Sequence, residues 1–450
     1  MTVAAELDKA LRPLVRGELP VHLTAWDGST AGPATAPRVV LRSPDALRRL
    51  LWSPGELGAA QAYVTGEIDV EGDLGEALAH VWAVARERGL SGVRPSPSTI
   101  AKVLRVAAKL GVVGGPLPAP ATQANIRGRL HSVLRDRAAI SHHYDLSNDF
   151  YSMILDPQMA YSCAYFTRNA PGAPHDPDYR LEDAQRDKLD LVCRKIGLEP
   201  GMRLLDVGCG WGSLSLHAAS AYGARVVGVT ISREQKAFID DRIAERGLQD
   251  RVEIRLQDYR EVPDGPFDAV ASLEMGEHVG EKNYARYAQA LYDNAKPGAR
   301  VLIQQMSRTG RHPGGGPFIE SFIAPDMTMR PVGESVAYLE RAGLEVRDVH
   351  GLREHYVWTV DAWLEQFESR WDDVVAMVGL EMARVWRLYL VGGGMSFAQG
   401  RMGVDQILAV KPTAAGQSLM PAARVDSTPA VQVDSTPAVR VDSTGSGVLR

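Results

Sequence analysis

The chain has 450 residues, 45% hydrophobic and 23% charged, with 50 Lys and Arg against 55 Asp and Glu for a formal net charge of −5. That length exceeds one compact core and predicts two domains plus tails, and the mild acidity excludes a global attraction to nucleic acid or anionic lipid. Cys163, Cys193 and Cys209 make no disulfide framework and suit a reducing cytoplasm. The N-terminus lacks the basic-then-apolar pattern of a signal peptide, and no apolar run reaches membrane-spanning length.

Residues 1–90 read as a small N-terminal α+β domain. Residues 5–11 suit an amphipathic helix and 39–42 a strand, after which Ser43 and Pro44 form the cap and first turn of another helix. Residues 91–140 are a basic linker with helices, broken by Pro95, Pro97, Pro116, Pro118 and Pro120. From residue 100 to 140 its bases are Lys102, Arg105, Lys109, Arg127, Arg129, Arg135 and Arg137, against the single acid Asp136. Two readings stand: a solvated interdomain helix, or a segment whose bases meet lipid phosphates while Leu and Val dip into the interface. The paired His142 and His143 invite a metal, but no Cys or carboxylate stands at ligand spacing, so none is expected.

Residues 141–411 form the larger domain. Strands at 203–207, 225–229, 252–256, 267–272 and 300–305 alternate with helices, which predicts an α/β fold with a doubly wound, Rossmann-like parallel sheet. Its centre is Leu204-Leu205-Asp206-Val207-Gly208-Cys209-Gly210-Trp211-Gly212, a buried strand running into a tight turn and a helix start. The spacing is G-x-G-x-G, not the dinucleotide fingerprint, and no Lys-Ser/Thr follows, so a P-loop is excluded. Asp206 and Trp211 favour an S-adenosylmethionine (SAM) pocket, against the bland alternative of an ordinary tight turn. Ligands of such sheets sit at the carboxyl ends of the strands, which selects 206–212, 230–235, 257–259, 272–278 and 304–307. A carboxylate for the ribose hydroxyls is expected after the second strand; this chain offers Thr230 and Ser232, with Gln235 reaching back. Residues 311–335 read as a lid. Beyond it, Trp358, Trp363, Phe367, Trp371, Trp386 and Tyr389 either line an acyl channel or pack a core. Residues 412–450 repeat Val-Asp-Ser-Thr-Pro-Ala and are expected to be disordered.

Five stretches in this order, 143–150, 161–166, 205–212, 257–260 and 277–280, resemble the cyclopropane-fatty-acyl-phospholipid synthase family, within which the chain is most similar to actinobacterial enzymes making methylene-branched acyl chains. The resemblance covers residues 40–410. It implies a class I SAM-dependent methyltransferase acting on a cis double bond of an oleoyl-type phospholipid chain. Tyr161, Ser162, Gly208, Gly210, Thr230, Gln235 and Asp258 would contact SAM, with Asp206, Gly212 and Tyr259 completing the cofactor set. In the family a bound bicarbonate is the base, held by residues matching Cys163, Glu277 and Tyr356 and by a histidine after the fifth strand.

This chain departs at two places. Gln304 replaces the histidine, and where the family reads Ser-Val-Gly-Met-Phe-Glu-His this chain reads Ser272-Leu273-Glu274-Met275-Gly276-Glu277-His278. Two carboxylates beside a bicarbonate would repel it, so Glu274 or Glu277 is expected to replace it as proton acceptor, with Cys163, Tyr356, Gln304 and His278 around them. In the alternative, Glu274 faces away in a salt bridge. A changed base favours an exomethylene product, with a separate reductase completing the methyl branch. The alternatives are a cyclopropane product, a small-molecule methyltransferase, or SAM binding without catalysis. The expected partners are phospholipid acyl chains, a membrane surface through 100–137, the reductase and a second copy of the chain, with no nucleic acid. The expected location is cytoplasmic, peripheral at the inner face of the membrane.

Overall fold

A computed structural model describes residues 2–90, 96–112, 114–124, 147–309 and 314–422. In the N-terminal unit the helix Val3–Val15 precedes a four-stranded sheet of β1 (His22–Thr24), β2 (Thr30–Ala31), β3 (Arg38–Leu41) and β4 (Ile68–Glu71), in the order β2-β1-β3-β4. Ser43 Oγ accepts from the Asp45 amide at 3.1 Å, and the helix it opens, Asp45–Trp52, starts one residue later than the sequence suggests. The helix Glu56–Val64 buries Gly58, Ala60, Ala62 and Tyr63 because its small residues allow close approach.

The larger unit is a seven-stranded sheet with helices on both faces. Its strands are β5 (Arg203–Val207), β6 (Arg225–Thr230), β7 (Val252–Leu256), β8 (Phe267–Leu273), β9 (Ala295–Ser307), β10 (Glu345–Gly351) and β11 (Gly403–Val410), in the order β10-β11-β9-β8-β5-β6-β7. The first five are parallel; β5, β6 and β8 carry the apolar runs of strands covered on both faces, while β7, at the edge, alternates. The sheet is not parallel throughout, however: β11 runs antiparallel to both β9 and β10. The reading of 311–335 as a lid, with aromatics for a channel or core beyond it, contained neither strand. β10 carries alternating charges along a sheet edge, and β11 interrupts its apolar run with Asp405 and Gln406.

The expected lid packs as a wall between the two units. Phe318 and Phe322, on the helix Pro317–Phe322, pack with Ala60, Tyr63 and Val64 of the N-terminal unit and with Val385 and Val391. The helix Trp371–Ala398 bends at Gly379 (φ 79°) and sends the Arg384 guanidinium to the carbonyls of Tyr63 (2.6 Å) and Ile68 (2.9 Å). The basic helix, Pro97–Lys109, exposes Ile100 and Leu104, while Lys109 Nζ reaches Glu6 Oε1 at 2.6 Å. No helix among the described residues is long and apolar enough to cross a membrane. Arg127, Arg129, Arg135, Arg137, His142, His143 and the terminal repeats lie outside the described residues.

Candidate active site

The glycine turn after β5 opens a cavity at the carboxyl edge of the sheet. Gly208, Gly210 and Gly212 all take left-handed φ values (75°, 54° and 80°), a conformation that only glycine adopts without strain. The amides of Gly208 and Cys209 both donate to the Val229 carbonyl, at 3.0 and 3.1 Å, and fix the turn to β6. A Cβ on Gly210 would meet nothing within 4 Å, whereas one on Gly212 would come within 2.9 Å of Ile239. Gly208 and Gly210 therefore line the cavity, and Gly212 serves helix packing instead.

Tyr161, Ser162, Asp206, Thr230, Gln235, Asp258 and Tyr259 all reach the same cavity wall. Thr230 Oγ1 donates to Gln235 Oε1 at 2.8 Å, and Ser232 Oγ caps the helix Arg233–Glu245, so the hydroxyl cluster after β6 is held in place. Burial pushes the Asp206 carboxyl up to about 6, partly offset by the Ser215 hydroxyl that donates to it at 2.7 Å. Burial also acts to raise Asp258, but the Arg260 side chain and amide outweigh it and keep that carboxyl below its usual range. Sequence reasoning missed Gln185 and Lys188 on the helix Leu181–Lys195. Both are fully buried; Gln185 Nε2 grips the carbonyls of Ala160 (3.1 Å) and Ser162 (2.9 Å), and Lys188 Nζ donates to Ser162 Oγ at 2.8 Å. A polar residue on an amphipathic helix gives no sequence sign of burial.

Glu274 is turned into the cavity, not away from it. Its Oε1 accepts from the Cys163 amide at 2.8 Å and from Gln304 Nε2 at 2.9 Å, and its Oε2 accepts from the Tyr356 hydroxyl at 2.6 Å. Three of the four positions that the resemblance assigned to an anion (Cys163, Tyr356 and the lost histidine) thus converge on this carboxylate, and the fourth, Glu277, bonds elsewhere. Glu274 also has a φ of 52°, left-handed for a non-glycine residue, at the position where the family's string has glycine. Such a conformation costs roughly 1–2 kcal/mol and persists only where the surroundings impose it. Burial raises the Glu274 pKa, and the three donors resist that rise.

The other predicted catalytic residues separate by geometry. Cys163 presents its amide; its thiol donates to the Ala164 carbonyl at 3.2 Å, and burial pushes its pKa well up. Burial likewise raises the Tyr356 hydroxyl. Glu277 does not line the cavity. Its Oε1 accepts from the Met306 amide, its Oε2 has no partner among the described residues, and burial together with the Glu274 charge pushes it up to about 8. His278 lies on the wall, where burial pushes it down to about 4 and leaves it neutral.

Above this floor stands an aromatic cage. The Tyr161 ring lies 5.3 Å from Trp363 and 6.3 Å from Trp211, Tyr151 lies 4.6 Å from Trp211, and Tyr356 stacks on Phe397 at 4.4 Å. The hydroxyls of Tyr161 and Tyr389 share a hydrogen bond of 3.0 Å. A greasy cage of tilted and stacked rings beside the buried Glu274 carboxylate suits chemistry that has to exclude water.

A glycine-turn cavity at the carboxyl ends of a seven-stranded sheet with one reversed strand defines a SAM-dependent methyltransferase of class I. The sequence model described as mycolic acid cyclopropane synthetase matches residues 131–407. The chain is 37% identical to a probable fatty acid methyltransferase of Pseudomonas putida over 94% of this chain and 99% of that protein. It is 34% identical to the tuberculostearic acid methyltransferase UfaA1 of Mycobacterium tuberculosis, over 86% of this chain and 87% of that one. Among solved structures, the cyclopropane synthase MmaA2 from Mycobacterium tuberculosis shares 28% identity and a TM-score of 0.56 across 63% of this chain and 99% of its own. The chain belongs to the mycolic acid cyclopropane synthetase family.

Proposed function

We infer that the enzyme transfers a methyl group to the cis double bond of an oleoyl-type phospholipid chain and releases an exomethylene-branched product. The observation that carries this reading is the Glu274 carboxylate, held by the Cys163 amide, Gln304 Nε2 and the Tyr356 hydroxyl where the family's bicarbonate would be held. The donor set around Gly208, Gly210, Thr230, Gln235 and Asp258, with open space over Gly210, fits SAM, which supplies an electrophilic methyl when bound. The alkene's π electrons form the new carbon–carbon bond and leave a cation on the neighbouring carbon. A hydride shift from the methylated carbon moves the cation there. Glu274 then takes a proton from the new methyl, and the electron pair left behind closes the exomethylene double bond. The apolar cage keeps water from capturing the cation.

A relative named for tuberculostearic acid supports a branched product over a ring. The branch requires a separate reductase to become a methyl group. Lys102 and Arg105 of the helix Pro97–Lys109, beside its exposed Ile100 and Leu104, support docking on the inner face of a membrane in the cytoplasm. A homodimer is part of the same proposal, for light scattering to test.

The test is to incubate the purified enzyme with SAM and dioleoyl phospholipid vesicles, then analyse the fatty acids by mass spectrometry with ozonolysis. An exomethylene is cleaved by ozone; a product that resists ozone is the cyclopropane and overturns the product assignment. In the same assay Lys102→Glu with Arg105→Glu weakens co-sedimentation with anionic vesicles; unchanged binding removes the helix from membrane docking.

A further inference from the structure

The contacts behind Glu274 do not end at Gln304. Gln304 on β9 stands directly opposite Gln406 on β11, and both side chains are fully buried. Gln304 Nε2 donates to Glu274 Oε1 at 2.9 Å and to the Cys163 carbonyl at 3.3 Å, while Gln406 Nε2 donates to Gln304 Oε1 at 2.9 Å. An ionised carboxylate and a carbonyl can only accept, so the Gln304 amide turns its NH2 toward them and its oxygen toward β11. Nothing within Gln304 enforces this, because a primary amide exchanges its ends by a half-turn about the last torsion. The two acceptors favour that aim from one side, and Gln406 Nε2 favours it from the other by setting a donor against the Gln304 oxygen. The arrangement leaves Gln406 Oε1 without a hydrogen-bond partner among the described residues.

We propose that Gln406 is a positioning residue for the proton acceptor: by fixing the Gln304 amide it holds the Glu274 carboxylate in its ionised, proton-accepting form. The proposal rests on the reading of Glu274 as the base. With the amide reversed, the Gln304 oxygen would face Glu274 Oε1, and that pairing requires a proton on the carboxyl. The base would then be filled before substrate arrives. Burial already raises the Glu274 pKa, so the loss of one correctly aimed donor bears directly on the pH at which the enzyme works.

The test variant is Gln406→Met, which keeps length and volume but removes the donor, with kcat for oleoyl phospholipid vesicles and SAM measured against pH. The acid limb is expected to move upward by about one pH unit, with the KM for SAM little changed. In a Gln304→Met background the same change is expected to add nothing, since Gln406 acts only through Gln304. An unmoved acid limb, or additive losses in the double variant, overturns the proposal. Should Gln406→Met fail to fold, Gln406→Glu keeps the shape and donates only while protonated, so its activity is expected to fall at the alkaline end; an unchanged alkaline limb overturns the proposal equally. Glu274→Gln run beside them separates the two readings. If it stays active, the base assignment fails; if it is inactive while Gln406→Met is normal, only the role of Gln406 fails.

Discussion

On the proposed reading of Glu274, its replacement by glutamine removes the proton acceptor and little else. The amide oxygen can still accept from the Cys163 amide and Gln304 Nε2, as the carboxylate does at 2.8 and 2.9 Å, and its NH2 can donate to the Tyr356 hydroxyl oxygen. The cavity and the strained turn at φ 52° therefore survive, and only the ability to take a proton is lost. A positioned general base contributes about 10²- to 10⁴-fold. The expected fall in kcat is about a thousandfold, equivalent to about 4 kcal/mol of barrier. The KM for SAM should change by less than about tenfold, because the glycine turn and the Thr230–Gln235 pair are untouched. Steady-state kinetics with radiolabelled methyl donor and oleoyl vesicles reads both numbers. A variant within tenfold of the parent kcat would refute Glu274 as the base, and with it the argument from convergent donors.

Tyr356→Phe keeps the stack on Phe397 but removes the hydroxyl that donates to Glu274 at 2.6 Å. A hydrogen bond to a charged group is worth about 1.5–3 kcal/mol, so its loss should push the Glu274 pKa further up. The acid limb of the kcat profile should then shift to higher pH, and a profile identical to the parent's contradicts this. Glu277→Gln tests a structural consequence. With Glu277 pushed up to about 8 from 4.5, the folded state binds more protons than the unfolded one, so its stabilising effect is complete below about 4.5 and is lost as pH rises through 8. Thermal unfolding between pH 5 and 9 should show a shallower decline in the variant than in the parent; parallel curves would show that Glu277 is not the titrating group.

What could be read from the sequence follows what each signal depends on. The five parallel strands and the glycine turn were legible because local apolar runs and glycine spacing determine them. β10 and β11 were not, because one is a charged edge strand and the other carries half-buried Asp405 and buried Gln406, whose polarity hides its place in the sheet. The lid reading came from Gly and Pro around residue 314, but Phe318 and Phe322 find their partners in the N-terminal unit, a contact across more than 250 residues of chain. At the site, the paired departures Glu274 and Gln304 were visible as residues, and the structure shows them in contact at 2.9 Å. Lys188, Gln185 and Gln406 were invisible, since burial of a polar side chain is decided by tertiary packing and not by its neighbours in sequence.

The central claim is that a side chain of this protein does the work that bicarbonate does elsewhere in the family. It is tested most directly by measuring turnover in carbon dioxide-free buffer and again after adding bicarbonate. The structure predicts the same rate in both, because the Glu274 carboxylate already occupies the donors at Cys163, Gln304 and Tyr356. A rate that collapses without bicarbonate and recovers when it is returned would contradict the account.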